Sequence, residues 1–200
     1  MGYQEVAMQL GAIIFSDIRS PEKICKYFSC IPSGTVDKKL ITEIIAFNVF
    51  IVDYSLYAFG SERSDYPKIK AMLFDNIVRE FWHDLYSNGN FTDDYPILNN
   101  RLPSYANIYS DSKNNDFHKV NSCCLQLIRF AGLENHCINN KKELADFMSY
   151  FFHPAVLAFI KQIQEILNTD NTPTTTQSNN AKNMGCSLFI LLAILAWLLS

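Results

Sequence analysis

The sequence predicts an all-α protein: a single helical-bundle-like domain, followed by a flexible tether and one C-terminal transmembrane helix. Three observations carry this. Apolar residues recur at three- and four-residue steps across the first 167 positions, without the sustained alternation of a half-buried strand. Gly and Pro number seven each in 200 residues, few for a protein built on many tight turns. Past residue 167 the composition changes twice, first to Thr and Asn, then to an almost unbroken apolar run.

A chain of 200 residues suits one domain with a substantial core. Hydrophobic residues make up 48% and charged residues 18%, the balance of a chain that folds. With 15 Phe and 10 Tyr, the core should be bulky and aromatic. The net charge of -3 and the lack of any Lys/Arg run exclude nucleic acid as a partner, because phosphate binding needs a concentrated basic face. The six cysteines form no C-x-x-C pair, so neither a zinc site nor a thioredoxin-like motif is indicated. Buried, reduced thiols are the expectation.

From the N-terminus, residues 6–15 are apolar, but Gln9 and Gly11 interrupt them, the first charge is Glu5, and Pro21-Glu22 comes next where a signal peptide would carry small residues. Export by this segment is not expected. Val6 stands where N-myristoylation requires Ser or Thr. Ser20-Pro21-Glu22 reads as a helix start, with a cap, a first-turn proline and an acid, and that helix should stop near residues 31–34.

Thr35 should cap a long helix over residues 36–59, closed by Gly60. Its apolar positions run almost all the way round, which marks a helix buried on most faces. Glu43 and Asp53 would cost several kcal/mol near mid-bilayer, so it is read as a core helix rather than a span. Ile69, Met72, Leu73, Ile77, Phe81 and Leu85 form the stripe of an amphipathic helix from Pro67 to about Tyr86. Pro96 and Pro103 split residues 87–114, where short helical turns in a long loop are expected. Residues 116–131 should form a helix closed by Gly132. Asn140 and Glu143 form a capping box, and Pro154 should kink or break the helix it opens before residues 155–167 complete the domain.

Residues 168–183 contain no aromatic or branched aliphatic side chain and cannot bury enough surface to offset the entropy of ordering. They are read as a disordered tether. Residues 184–199 span about 24 Å as a helix, against a hydrocarbon core of roughly 30 Å. Leu188, Phe189, Ile190, Leu191, Leu192, Ile194, Leu195, Trp197 and Leu198 make up the anchor. At about -0.3 to -0.6 kcal/mol per large apolar residue, insertion gains roughly 3 to 5 kcal/mol with no charge opposing it. Trp197 suits the interface, and Lys182 places the near side in the cytoplasm.

Chemistry is harder to find. Glu80 and His83 form an E-x-x-H, which sets a carboxylate and an imidazole on one helix face; ferritin-like di-iron bundles use two such motifs with two further acids. Only one copy is present, and Glu43 and Asp53 would have to supply the remaining acids. The plainer reading is a solvated helix face for Glu80 and His83, and structural pairing for the two acids of the long helix. Asn90-Phe91-Thr92 fits a glycosylation sequon, which means nothing without export. No phosphate-binding loop, dinucleotide fingerprint, nucleophile elbow or H-E-x-x-H appears. No cofactor is called for. The function expected is therefore a tail-anchored, single-pass membrane protein whose helical domain binds a protein partner at the cytoplasmic face. The alternative is a membrane-anchored, metal-dependent enzyme using Glu80, His83 and the buried acids.

Overall fold

Thr42, Glu43, Asn48 and Ser55 interrupt the long apolar stretch after Lys38 and are nonetheless buried, so the helices around it must assemble to accommodate them. The computed structural model describes residues 1–16, 38–85, 91–110, 115–135 and 141–169. The chain divides into the units Met1–Thr169 and Asp170–Ser200, and all the described helices belong to the first. The helix expected after Ser20, the cap at Asn140, the tether from residue 170 on and the apolar tail lie outside the described residues, while Asn168, assigned to the tether, is the last residue of a helix.

The described residues are predominantly helical, with no strand among them. We label the helices α1 (Tyr3–Ser16), α2 (Lys38–Gly60), α3 (66–85), α4 (Phe91–Tyr109), α5 (Asp116–Ala131) and α6 (141–168). Helix α2 is the centre, packing against α1, α4, α5 and α6. Its Leu40–Gly60 segment is long and apolar enough to cross a membrane, yet 78% of its most apolar window is buried inside the bundle. Asn48, part of its interrupted pattern, donates from Nδ2 to the Ile14 carbonyl at 2.9 Å. That carbonyl belongs to the last turn of α1, where the helix has no donor of its own to offer.

Helix α1 brings Val6, Ala7, Leu10, Ile13 and Ile14 into the core. The apolar run at the start of the sequence is thus an integral helix. Gly11 lets it lie close on α3, since a Cβ built there would collide with Ile77 Cγ2.

Helix α3 is α-helical over Tyr66–Ala71, π-helical over Met72–Val78 and α-helical again over Arg79–Leu85. A π turn takes in an extra residue and rotates everything downstream by about 100°. The expected stripe holds for Ile69, Leu73 and Ile77, then moves over by one, so that Val78 and Trp82 are buried. Phe81, expected on the inner face, is 38% exposed and stacks on Phe15 with ring centroids 5.0 Å apart.

Two further expectations are corrected. The loop foreseen around Pro96 and Pro103 is the continuous helix α4. Leu98, Tyr105 and Tyr109 are buried on one of its faces, and that burial outweighs the hydrogen bonds the prolines remove. Pro154 does not break α6 either. A π segment over Phe147–Phe152 precedes it, and the His153 N–H reaches five residues back to Met148. The wider turn moves carbonyls away from the proline ring.

Gly132 closes α5 as expected, in the left-handed conformation at φ 76°. Its N–H donates to the Arg129 carbonyl at 2.9 Å, and Leu133 N–H donates to Ile128 at 3.0 Å, a Schellman closure. Gly60 is not such a cap. Among the described glycines only Gly132 has positive φ. Gly60 sits instead in a snug place: a Cβ there would be 3.2 Å from Leu56 Cδ1, a tight contact, and 3.5 Å from Leu167, an ordinary one.

Candidate functional site

Aromatic rings fill the space between α2, α4, α5 and α6. Phe47 meets Tyr105 edge-on at 5.4 Å and Phe152 at 5.2 Å, and Tyr105 meets Phe130 edge-on at 6.0 Å. Such pairs add to area burial because ring edges are positive and faces negative. Burial raises the Tyr105 phenol well above its ordinary pKa, with the nearby Glu43 carboxylate adding to the shift, and pushes the Cys123 thiol up to about 12. Cys123 and Cys124 are both buried and in no disulfide. A thiol held protonated in this way, as Cys123 is, is inert as a nucleophile.

Glu43 lies within this aromatic core, its residue 1% exposed. Arg101 on α4 holds it in a fork, Nε at 3.1 and 3.0 Å from the two carboxylate oxygens and Nη2 at 2.9 Å from Oε1. The guanidinium also lies over the Phe130 ring at 3.8 Å. A buried carboxylate needs this kind of bidentate partner, and a guanidinium stacked on a ring meets that need well. The pair is structural: it joins α2 to α4, with its oxygens occupied.

Asp53 lies about three turns further along α2, where the helix meets solvent. Lys70 Nζ on α3 is 2.7 Å from its Oδ1, with the side chains 45% and 35% exposed. The contact is a short, charge-assisted one, and the Oδ1 atom itself is shielded from solvent. Burial alone would lower the Lys70 pKa; Asp53 beside it, with Tyr66 contributing, leaves it raised. This ion pair lies in an open cleft of about 480 Å³ between α2, α3 and α4, with Tyr54, Tyr57, Asn99 and Pro103 among its lining. Tyr54 is steadied by Tyr109, ring centroids 4.6 Å apart.

Glu80 and His83 are both exposed on the last turns of α3. The three acids and the imidazole considered from sequence therefore occupy three settings: Glu43 in the core, Asp53 in the cleft, Glu80 and His83 on an outer surface. Among the described residues no group of three or more His, Cys, Asp or Glu side chains could hold a metal ion.

Sequence reasoning missed Arg101 because it fell in the segment assigned to a loop. The signal was present: Leu98, Leu102, Tyr105 and Tyr109 are spaced as one helical face. It missed the cleft because no local pattern joins residue 53 to residues 70 and 99. No protein-family model, no curated protein and no solved structure matches the chain.

Proposed function

We propose that this protein is a membrane-anchored helical module that binds a protein partner at the cytoplasmic face. The observation that carries the reading is the uncharged run over residues 184–199, set behind residues 168–183, sixteen positions with no large apolar side chain. A helix satisfies its own backbone hydrogen bonds, so such a segment enters lipid at little polar cost. The tether and anchor confine the domain to a surface, which raises its effective concentration toward partners there. Exposed aromatic residues on the domain, Tyr57 and Tyr150 at 65% and 66%, suit a protein-contact role.

Alkaline extraction of membranes tests the anchor. The full chain should stay with the membrane pellet, while a chain ending at Thr169 should appear in the supernatant. Replacing Leu192 and Leu195 by Arg costs about 2.5 to 3.5 kcal/mol each near mid-span, enough to cancel the gain from insertion. A double-Arg protein that still pellets like wild type would sink the reading. Stoichiometric iron or manganese in the purified protein would favour the metal-enzyme alternative.

A further inference from the structure

We infer that the end of the helical unit from which the chain departs at Thr169 seats on the membrane itself, with Tyr57 and Phe59 entering the headgroup layer of a zwitterionic bilayer. This assignment rests on the membrane-anchored reading and names which face of the domain meets lipid.

Four helix termini meet at that end. Arg63, on the turn after α2, donates from Nη1 to the Leu167 carbonyl at 2.8 Å, which ties the end of α6 to the end of α2. Gly60 and Leu167 pack there as well, since a Cβ on Gly60 would lie 3.5 Å from the leucine. The start of α3 lies beside the start of α1, where Lys68 Nζ sits 5.8 Å from the centre of the Tyr3 ring. Met1–Thr169 is the compact unit, so the chain leaves it here, one residue past α6.

Aromatic side chains gather at the same place. Tyr57 is 65% exposed and Phe59 43%, both in the last turn of α2. They stand about 200° apart round the helix, so they flank the end on two sides instead of forming one stripe. Tyr3 and Tyr66 are half-buried at the starts of α1 and α3. Rings with one apolar body and one polar tip favour the boundary between hydrocarbon and water. Residues 61–68 hold two acids, Glu62 and Asp65, and two bases, Arg63 and Lys68. Asp65 is held by Arg63 at 2.9 Å, while Lys68 is exposed on a stem long enough to reach phosphate. With those charges balanced, the turn suits zwitterionic headgroups and has no excess of basic residues to draw anionic lipid.

Reach separates this end from the opposite one, toward which Phe81 and Tyr150 lie. Helix α2, at 23 residues, is about 35 Å long. Residues 170–183, the fourteen before the apolar run, span at most about 50 Å when fully extended. Seating the far end would use most of that span in running back along the domain, whereas seating the near end uses none of it. Attachment also raises the local concentration of the surface, so a weak contact through a few rings suffices. A separate protein could cover the same rings, but it would have no reason to prefer the end where the chain departs. Of the two most exposed tyrosines, Tyr57 thus meets lipid and Tyr150 stays available to a partner.

The test is amide NMR of the full-length chain in phosphatidylcholine nanodiscs, with and without a lipid that carries a gadolinium chelate on its headgroup. Signals of residues 1–4 and 57–68 should broaden most, while those of 79–83 and 147–152 should stay sharp. Tyr57→Ser/Phe59→Ser, at two exposed positions, should lose most of the broadening. Tyr57→Phe/Phe59→Tyr should keep it, and Tyr150→Ser should leave it unchanged. If the double Ser variant does not fold, the wild-type pattern decides alone. Broadening that is strongest at the far end, or even across the domain, overturns the assignment, as does a folded double Ser variant that broadens like wild type. A chain that does not co-purify with the discs removes the anchor reading and this one with it. A chain that co-purifies without the expected pattern removes this one alone.

Discussion

Two acids on one helix end in different roles because their surroundings differ. Glu43 is desolvated, and its charge is tolerable only while Arg101 grips it and Phe130 faces the guanidinium. Removing one partner of a buried pair leaves an uncompensated charge, which costs about 3 to 5 kcal/mol. Arg101→Ala should therefore lower the free energy of unfolding by that much in urea titrations. Lys70→Ala breaks a half-exposed pair and should cost no more than about 1 kcal/mol. Equal losses from the two substitutions would show that burial does not separate them.

At the scale of elements, close approach and register matter most. Helix α1 lies against the π segment of α3 because Gly11 has no side chain, and Ile77 is β-branched and stiff at the point of contact. Gly11→Ala must push a methyl into Ile77, at a cost of about 1 to 3 kcal/mol from overpacking. The Gly11→Ala/Ile77→Ala pair should be less destabilised than the sum of its single changes, as a double-mutant cycle on melting curves would report. Strict additivity would mean that α1 and α3 are not in contact there. The two π segments solve different problems: one re-aims the buried face toward Val78 and Trp82, the other carries α6 past Pro154.

For the molecule as a whole, neutral acids held protonated in the core link stability to alkaline pH. Burial pushes Cys123 from 9.0 to about 12 and Tyr109 from 10.0 to about 12. The unfolded chain releases these protons first. The stability they contribute is complete below the ordinary thiol value of 9.0 and drains away as pH rises toward about 12. The urea midpoint should hold up to about pH 8.5 and fall steadily above about pH 9. A midpoint that stays level through about pH 10.5 would mean that these groups are not desolvated in the native state.

The all-α class, the extent of α2, the closure of α5 at Gly132 and the aromatic bulk of the core are all legible in the sequence. Each depends on interactions within a turn or two, or on composition, and so can be read from neighbouring residues. Glu43 and Asp53 also stand out there as acids misplaced in an apolar helix. What becomes of them is set by tertiary contacts, because Arg101 lies 58 residues from Glu43 and no local rule joins the two. The same holds for α4. Prolines at 96 and 103 argue locally for a loop, and only the burial of Leu98, Tyr105 and Tyr109 against α2 and its neighbours reverses that balance. The cleft is likewise invisible in sequence, being the meeting of three helices whose facing residues are separated by tens of positions. Periodicity shows which side of a helix seeks cover, but desolvation, and with it the strength of every charge, is set by what covers it.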